Sequence, residues 1–207
     1  MRDHWHDTLG PALVQHIELT AIAIAIGFAI AFVLALIAHR VRHVEQPIGI
    51  ASALLYTIPS LALFQILVPF TGISTTTVEV ALVAYTLVIL FPNILAGLQS
   101  APPDVLEAAR GMGLTRRQIL TRVELPLAVP AIIGGLRVAV VSTVSIATVA
   151  AFLLPKGLGN PIFFALKEPS PFKTEIYAAG ALAVGLALAC DLGLVALRRA
   201  LVPWRVA

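Results

Sequence analysis

Long apolar runs dominate the chain and leave it few ways to fold. Five follow one another: Ile17 to Ile37, Pro47 to Phe70 with Pro59 in its middle, Val78 to Ala96 with Pro92 late in it, Val129 to Leu154, and Ile176 to Leu197. Each is long enough to cross about 30 Å of hydrocarbon as a helix rising about 1.5 Å per residue. Within lipid every backbone N–H and C=O needs a partner inside the protein, which only helices and closed barrels provide. The runs predict an all-α integral membrane protein with about five transmembrane helices. Composition agrees: 59% of the 207 residues are hydrophobic and 12% are charged. Mean hydropathy is +0.95, outside the range of soluble globular domains. Cys190 is the single cysteine and lies inside an apolar run, so no intrachain disulfide forms and no metal cluster is indicated.

One polar stretch stands apart, Glu107 to Pro126, EAARGMGLTRRQILTRVELP. Pro102 and Pro103 suit a first helical turn, and Asp104 and Glu107 favour its positive end. Gly111 and Gly113 supply the positive φ that ends such a helix. Thr115 with Gln118 fits a capping box for a second helix, with Ile119, Leu120 and Val123 on one face and Pro126 as its stop. The expected shape is helix, glycine turn, helix. Arg116, Arg117 and Arg122 could meet phosphates in a DNA-binding version of that shape. The apolar runs on both sides leave no soluble domain to hold such a helix in a groove, so a surface loop between membrane spans is the better reading. The alternative is an amphipathic loop lying on the lipid surface.

Charge placement orients the chain. If the loop after the first span is cytoplasmic, then Arg40, Arg42, Arg110, Arg116, Arg117, Arg122, Arg198, Arg199 and Arg205 all lie inside. Arg2, Lys156, Lys167 and Lys173 lie outside. The positive-inside rule then gives an external N-terminus and a cytoplasmic C-terminus. The tail Met1 to His16 lacks the basic start of a cleaved signal peptide and reads as interfacial, with Trp5 near the headgroups and nothing completing a metal site with His4 and His6.

Glu18, Glu79 and Glu175 fall near the outer ends of spans, where the helix dipole stabilises a carboxylate; an acidic rim that attracts cations is the alternative. Arg137 and Asp191 lie at similar depths, some 9 to 12 Å from the cytoplasmic edge at about 1.5 Å per residue. They pair with each other, or Asp191 pairs across a subunit interface, or each snorkels to the cytoplasm. In the second span Pro59 removes a helix hydrogen bond, and Tyr56, Thr57, Ser60 and Gln65 add polar groups. These features suit a kinked pore-lining helix, or a kink needed only for packing.

Glu107-Ala108-Ala109, then Gly113, then Val123 and Leu125-Pro126 resemble the EAA signature of permease subunits of ABC importers. That signature reads E-A-A, three residues, G, nine residues, I, one residue, L-P, and Val123 stands where isoleucine is usual. Tyr56 to Ile73, YTIPSLALFQILVPFTGI, is similar to the TIPSLAL segment of the glycine betaine, choline and carnitine subgroup. Gly157-Leu158-Gly159 is similar to its GLG turn, with Leu154, Pro155 and Lys156 where small residues are usual.

The resemblance implies an external tail at 1–16, a permease domain at 17–197 with a coupling loop at 97–128, and a cytoplasmic tail at 198–207, in a prokaryotic inner membrane. It further implies that Glu107, Ala108, Ala109, Gly113, Leu125 and Pro126 engage a cytoplasmic ATPase and that Tyr56, Thr57, Pro59, Ser60 and Gln65 line the pathway. The chain carries no Walker A loop, so ATP and Mg belong to the partner ATPase. A second permease subunit, identical or related, an external solute-binding protein and membrane lipid complete the expected partners, with no nucleic acid.

The solute is expected to be a quaternary ammonium osmoprotectant, for which Tyr56, Phe64 or Tyr85 could offer cation–π contact or serve only packing. An amino-acid or methionine importer is the alternative within the class. An ion-coupled secondary transporter is the alternative outside it, although the spans hold no midplane Asp, Glu or His and do not divide into equal halves.

Overall fold

The computed structural model describes residues 8–168 and 173–202, apart from the side chains of Arg42 and Lys173. Expectations about Arg2, Trp5, His4, His6 and Arg205, and about the Arg42 and Lys173 side chains, fall outside these residues. Nine α-helices are described: α1 (Gly10–Arg40), α2 (Arg42–Thr57), α3 (Ser60–Thr71), α4 (Thr75–Leu98), α5 (Pro103–Gly111), α6 (Arg116–Ile119), α7 (Leu125–Val149), α8 (Gly159–Lys167) and α9 (Lys173–Leu201). Among the described residues four stretches are long and apolar enough to cross a membrane, or five if α2 and α3 together make one span.

At the centre lies α4, with α1 and α7 packed along it and α9 resting on the far side of α7. Lipid tails are as apolar as leucine, so helices in a membrane gain by approaching closely rather than by hiding apolar surface. The sequence allows that approach: Ala23, Gly27, Ala31 and Ala35 recur every fourth residue of α1, and all are buried. A Cβ on Gly27 would come within 2.7 Å of Thr86 Cβ on α4. Two turns further along the same face of α4, a Cβ on Gly135 of α7 would come within 2.5 Å of Asn93 Cβ. Buried between α4 and α7, Thr86 and Thr143 share a 3.0 Å hydrogen bond.

The second span is broken rather than kinked. α2 and α3 meet at 103° across Ile58 and Pro59. Proline drives the preceding residue out of the helical region; Ile58 is extended (φ −74°, ψ 123°), and Pro59 itself turns extended (φ −58°, ψ 139°). Two extended residues in succession redirect the chain. The carbonyl groups that lose helical partners are not left bare: the Tyr85 hydroxyl donates to Ile58 O, and Thr57 Oγ1 donates to Leu54 O at 2.7 Å.

Two further expectations change at the ends of spans. Pro126 does not stop a helix, because Arg116–Phe152 runs as one apolar helical stretch. A proline ring collides with the carbonyl four residues before it, and a wide π turn over Leu120–Glu124 stands where the ring needs room. His16 is not part of a solvated tail: α1 starts at Gly10, and His16 is fully buried. Its Nδ1 accepts the Leu158 N–H at 3.3 Å, so the proton sits on Nε2, which donates to Val144 O at 3.1 Å. Gln15 Oε1 accepts the Gly157 N–H at 3.2 Å.

These bonds fasten the Gly157-Leu158-Gly159 turn to α1 and α7. Gly157 has φ +70°, and a Cβ on Gly159 would lie 1.9 Å from Thr148 O. The helix that follows, α8, is absent from the sequence reading. Its apolar segment Ile162 to Leu166 is too short to span and gave no periodic signal.

Gly159→Ala therefore forces backbone apart, whereas a Cβ on Gly180 of α9 meets nothing within 4 Å. We expect Gly159→Ala to cost about 1–3 kcal/mol, the usual range for overpacking, and to lower the melting temperature in detergent by several degrees. Gly180→Ala should leave it unchanged.

Candidate functional site

The polar stretch forms as two capped helices joined by a tight turn. Pro102 is the N-cap of α5, Pro103 opens the helix, and Asp104 sits in its first turn. Of the two glycines, only Gly113 takes positive φ (+79°). The Gly113 N–H reaches Arg110 O at 2.9 Å and the Leu114 N–H reaches Ala109 O at 3.1 Å. This bonding is a Schellman motif, and it satisfies the carbonyls that end α5. Thr115 and Gln118 form the capping box of α6: the Thr115 N–H donates to Gln118 Oε1 at 2.8 Å, and the Gln118 N–H donates to Thr115 Oγ1 at 3.4 Å.

Glu107, Ala108, Arg110, Gly113, Arg116, Arg117 and Arg122 are exposed, as is Met112 at 73%. Ala109 is only 2% exposed, so its small size serves packing within the chain. Leu125 and Pro126 are partly buried.

Side-chain bonds fix this stretch to one end of the bundle. Gln99 Nε2, just past α4, donates to Glu45 Oε2 of α2 at 3.1 Å. His39 Nε2, in the last turn of α1, lies 3.1 Å from Glu124 Oε2 in the π turn. Leu120 and Leu125 flank that glutamate and pack on the cluster that contains Ala31, Ala35 and Ala38 of α1. The π turn itself is closed by the Leu125 N–H on Leu120 O, five residues back.

A third bond ties α9 to the middle of α7. Arg137 Nε and Nη2 donate to Asp191 Oδ1 and Oδ2 at 2.6 and 2.9 Å, a bidentate pair within one chain. Arg137 lies midway along α7 and Asp191 in the second half of α9. Arg40, Arg110, Arg116, Arg117, Arg122, Arg198 and Arg199 thus gather at the end that carries the polar stretch, with Lys156 and Lys167 at the other.

The polar residues of the second span cluster at its break. Tyr56 (63% exposed), Thr57, Pro59 and Gln65 are exposed, and Ser60 is partly so. The other two aromatics are occupied: Phe64 is fully buried, and Tyr85 is 5% exposed with its hydroxyl on Ile58 O. Of these three rings, Tyr56 alone is open.

Nor do the carboxylates sit as expected. Helices extend past the apolar runs, which leaves Glu18 and Glu79 beyond the first turns of α1 and α4; only Glu175 occupies a first turn. The helix dipole acts mainly on first-turn groups, so dipole matching accounts for Glu175 alone. Glu79 Oε2 is buried without a hydrogen-bond partner among the described residues. No group of three or more His, Cys, Asp or Glu able to hold a metal occurs among them either.

A helical membrane bundle with a rigid, exposed two-helix stretch at its basic end is the build of a transport-pathway subunit. The chain belongs to the family described as binding-protein-dependent transport system inner membrane component, which it matches over residues 23–204. It is therefore an ABC importer permease, a transport subunit, and a multi-pass membrane protein.

Among its relatives, the osmoprotectant import permease protein OsmW of Salmonella typhimurium is 36% identical over 150 residues, 70% of each chain. The carnitine transport permease protein OpuCB of Listeria monocytogenes is 31% identical over 191 residues, 91% of this chain and 86% of that one. The choline transport system permease protein OpuBB of Bacillus subtilis is 32% identical with the same coverage. A chain of the MetNI methionine ABC transporter in an inward-facing conformation shares the fold with a TM-score of 0.86. That match is 19% identical and covers 97% of this chain and 99% of the other.

The Arg137–Asp191 pair generates a test. Arg137→Asp or Asp191→Arg alone places like charges face to face and should lower both the yield of folded protein and its melting temperature in detergent. The double reversal restores the pair and should recover about half of the loss or more. Additive losses would show instead that each charge acts alone.

Proposed function

We propose that this chain is the permease subunit of an ATP-driven importer for a quaternary ammonium osmoprotectant such as glycine betaine, choline or carnitine. The observation that carries the reading is the α5–turn–α6 stretch, preformed and exposed at the arginine-rich end of the bundle. In this reading Glu107, Ala108 and the glycine turn at Gly113 dock on a cytoplasmic ATPase that holds ATP and Mg. Ala109 supports the docking face from behind, and Leu125 and Pro126 join it to α7. The exposed arginines meet acidic groups on the partner.

Two permease subunits, identical or related, enclose the pathway, and the broken second span contributes Tyr56, Thr57, Pro59, Ser60 and Gln65 to it. An external binding protein delivers the solute. The cycle is a shift between two states driven by ligands that bind them unequally: ATP closes the ATPase pair, the coupling stretch moves with it, and the pathway turns outward. The substrate class rests on the names of the relatives and on the TIPSLAL and GLG segments. The open ring of Tyr56 is available for a cation–π contact with a methylated ammonium.

The basic end faces the cytoplasm in this reading, by the positive-inside rule. A green fluorescent protein fused after Ala207 should therefore fluoresce, and a periplasmic alkaline phosphatase fused there should stay inactive.

The functional test is copurification with the proteins encoded beside this one, followed by ATPase assays in lipid. A betaine-loaded binding protein should stimulate hydrolysis by the parent complex. Glu107→Arg, which puts a bulky cation on the docking face, should reduce that stimulation about tenfold or more, the scale of an interface charge reversal. If no ATPase associates with the parent, the reading fails.

A further inference from the structure

A coupling stretch drives a pathway only if its displacement reaches the spans, and two routes leave this one. The first is the backbone, from α6 through the π turn into α7. The second is a side-chain bridge to α1, which the backbone does not serve: His39 and Glu124 are 85 positions apart in the chain, yet Nε2 and Oε2 lie 3.1 Å apart. Both side chains are mostly buried, with 24% and 13% exposed, so water competes little for the bond.

The backbone route is the softer one. A π turn interrupts the regular helical ladder, and such turns concentrate at functional sites. Pro126, two residues past Glu124, cannot donate a hydrogen bond to stiffen the junction. Tilting α5 and α6 about this turn therefore need not carry the whole of α7 with it.

Glu124 sits in the turn itself. Leu120 and Leu125 pack on an apolar cluster drawn jointly from α1, α4 and α7, and such contacts are nondirectional, so they hold α1 close but let it slide. The bridge to His39 is the directional element there, and it fixes how far α1 must follow.

We infer that His39 and Glu124 are positioning residues that oblige the first span to move with the coupling stretch, so that ATP turnover on the partner is tied to opening of the pathway. The inference rests on the functional reading above. It predicts slippage when the bridge is lost: hydrolysis continues while α1 lags behind.

The test uses the complete complex in proteoliposomes with the betaine-loaded binding protein, measuring ATP hydrolysed and betaine taken up in the same vesicles. His39→Ala and Glu124→Ala should each raise the ATP consumed per betaine about threefold or more, the scale of losing a charge-assisted hydrogen bond from one state of a two-state switch. The double variant should be no worse than either single, because the two side chains act as one unit. Glu124→Gln keeps an acceptor for the His39 N–H and should hold the ratio near that of the parent.

A merely structural role would lower hydrolysis and uptake together and leave the ratio unchanged, which would overturn the inference. So would additive effects in the double variant. If the parent complex assembles and responds to Glu107→Arg as described, either result refutes the bridge alone. If the parent recruits no ATPase, the functional reading falls and the inference with it.

Discussion

The rest of the structure depends on the close approach of α1 and α7 to α4. Water cannot drive helices together inside lipid, so the bundle is held by short-range packing, and packing of this kind needs small residues in register. Gly27 of α1 and Gly135 of α7 supply it, with neighbouring side chains already where a Cβ would lie. One polar contact, Thr86 to Thr143, adds direction at the seam between α4 and α7. Because these three helices are held against one another, the segments that leave their ends are gathered too. The last turn of α1, the end of α4 and the start of α7 meet where the polar stretch emerges, and the Arg137–Asp191 pair holds α9 against the middle of α7.

Much of this was legible in the sequence, and the parts that were share a cause. Spans are written in hydropathy, caps in short local patterns, and both are decided by residues near one another in the chain. The Thr115–Gln118 capping box and the turn at Gly113 could be read for that reason. The matching depths of Arg137 and Asp191 could be computed from helix rise alone, though not the choice between pairing and snorkelling.

What the sequence hid depends on contacts between distant segments or on competing local rules. Pro59 and Pro126 are the same residue with opposite outcomes: one breaks a span by 103°, and the other is absorbed by a π turn. Residues that could repair the backbone decide the difference, and for Pro59 one of them, Tyr85, lies 27 positions from the carbonyl it serves. His16 looked like a tail residue because hydropathy marks where apolar residues start, not where a helix does. The recurrence of Ala23, Gly27, Ala31 and Ala35 marks the seam through the spacing of small residues, which hydropathy does not register.

One consequence of the polar stretch concerns cost rather than contact. Its turn is closed by a Schellman motif and its second helix by a capping box, using bonds internal to the stretch. A segment that ordered only on docking would lose about 1–2 kcal/mol of conformational entropy per residue at that moment. A protein that seats itself here meets a surface already in its final shape, so the affinity of the encounter is not spent on folding it. Such a handle can be gripped and released repeatedly without being remade each time.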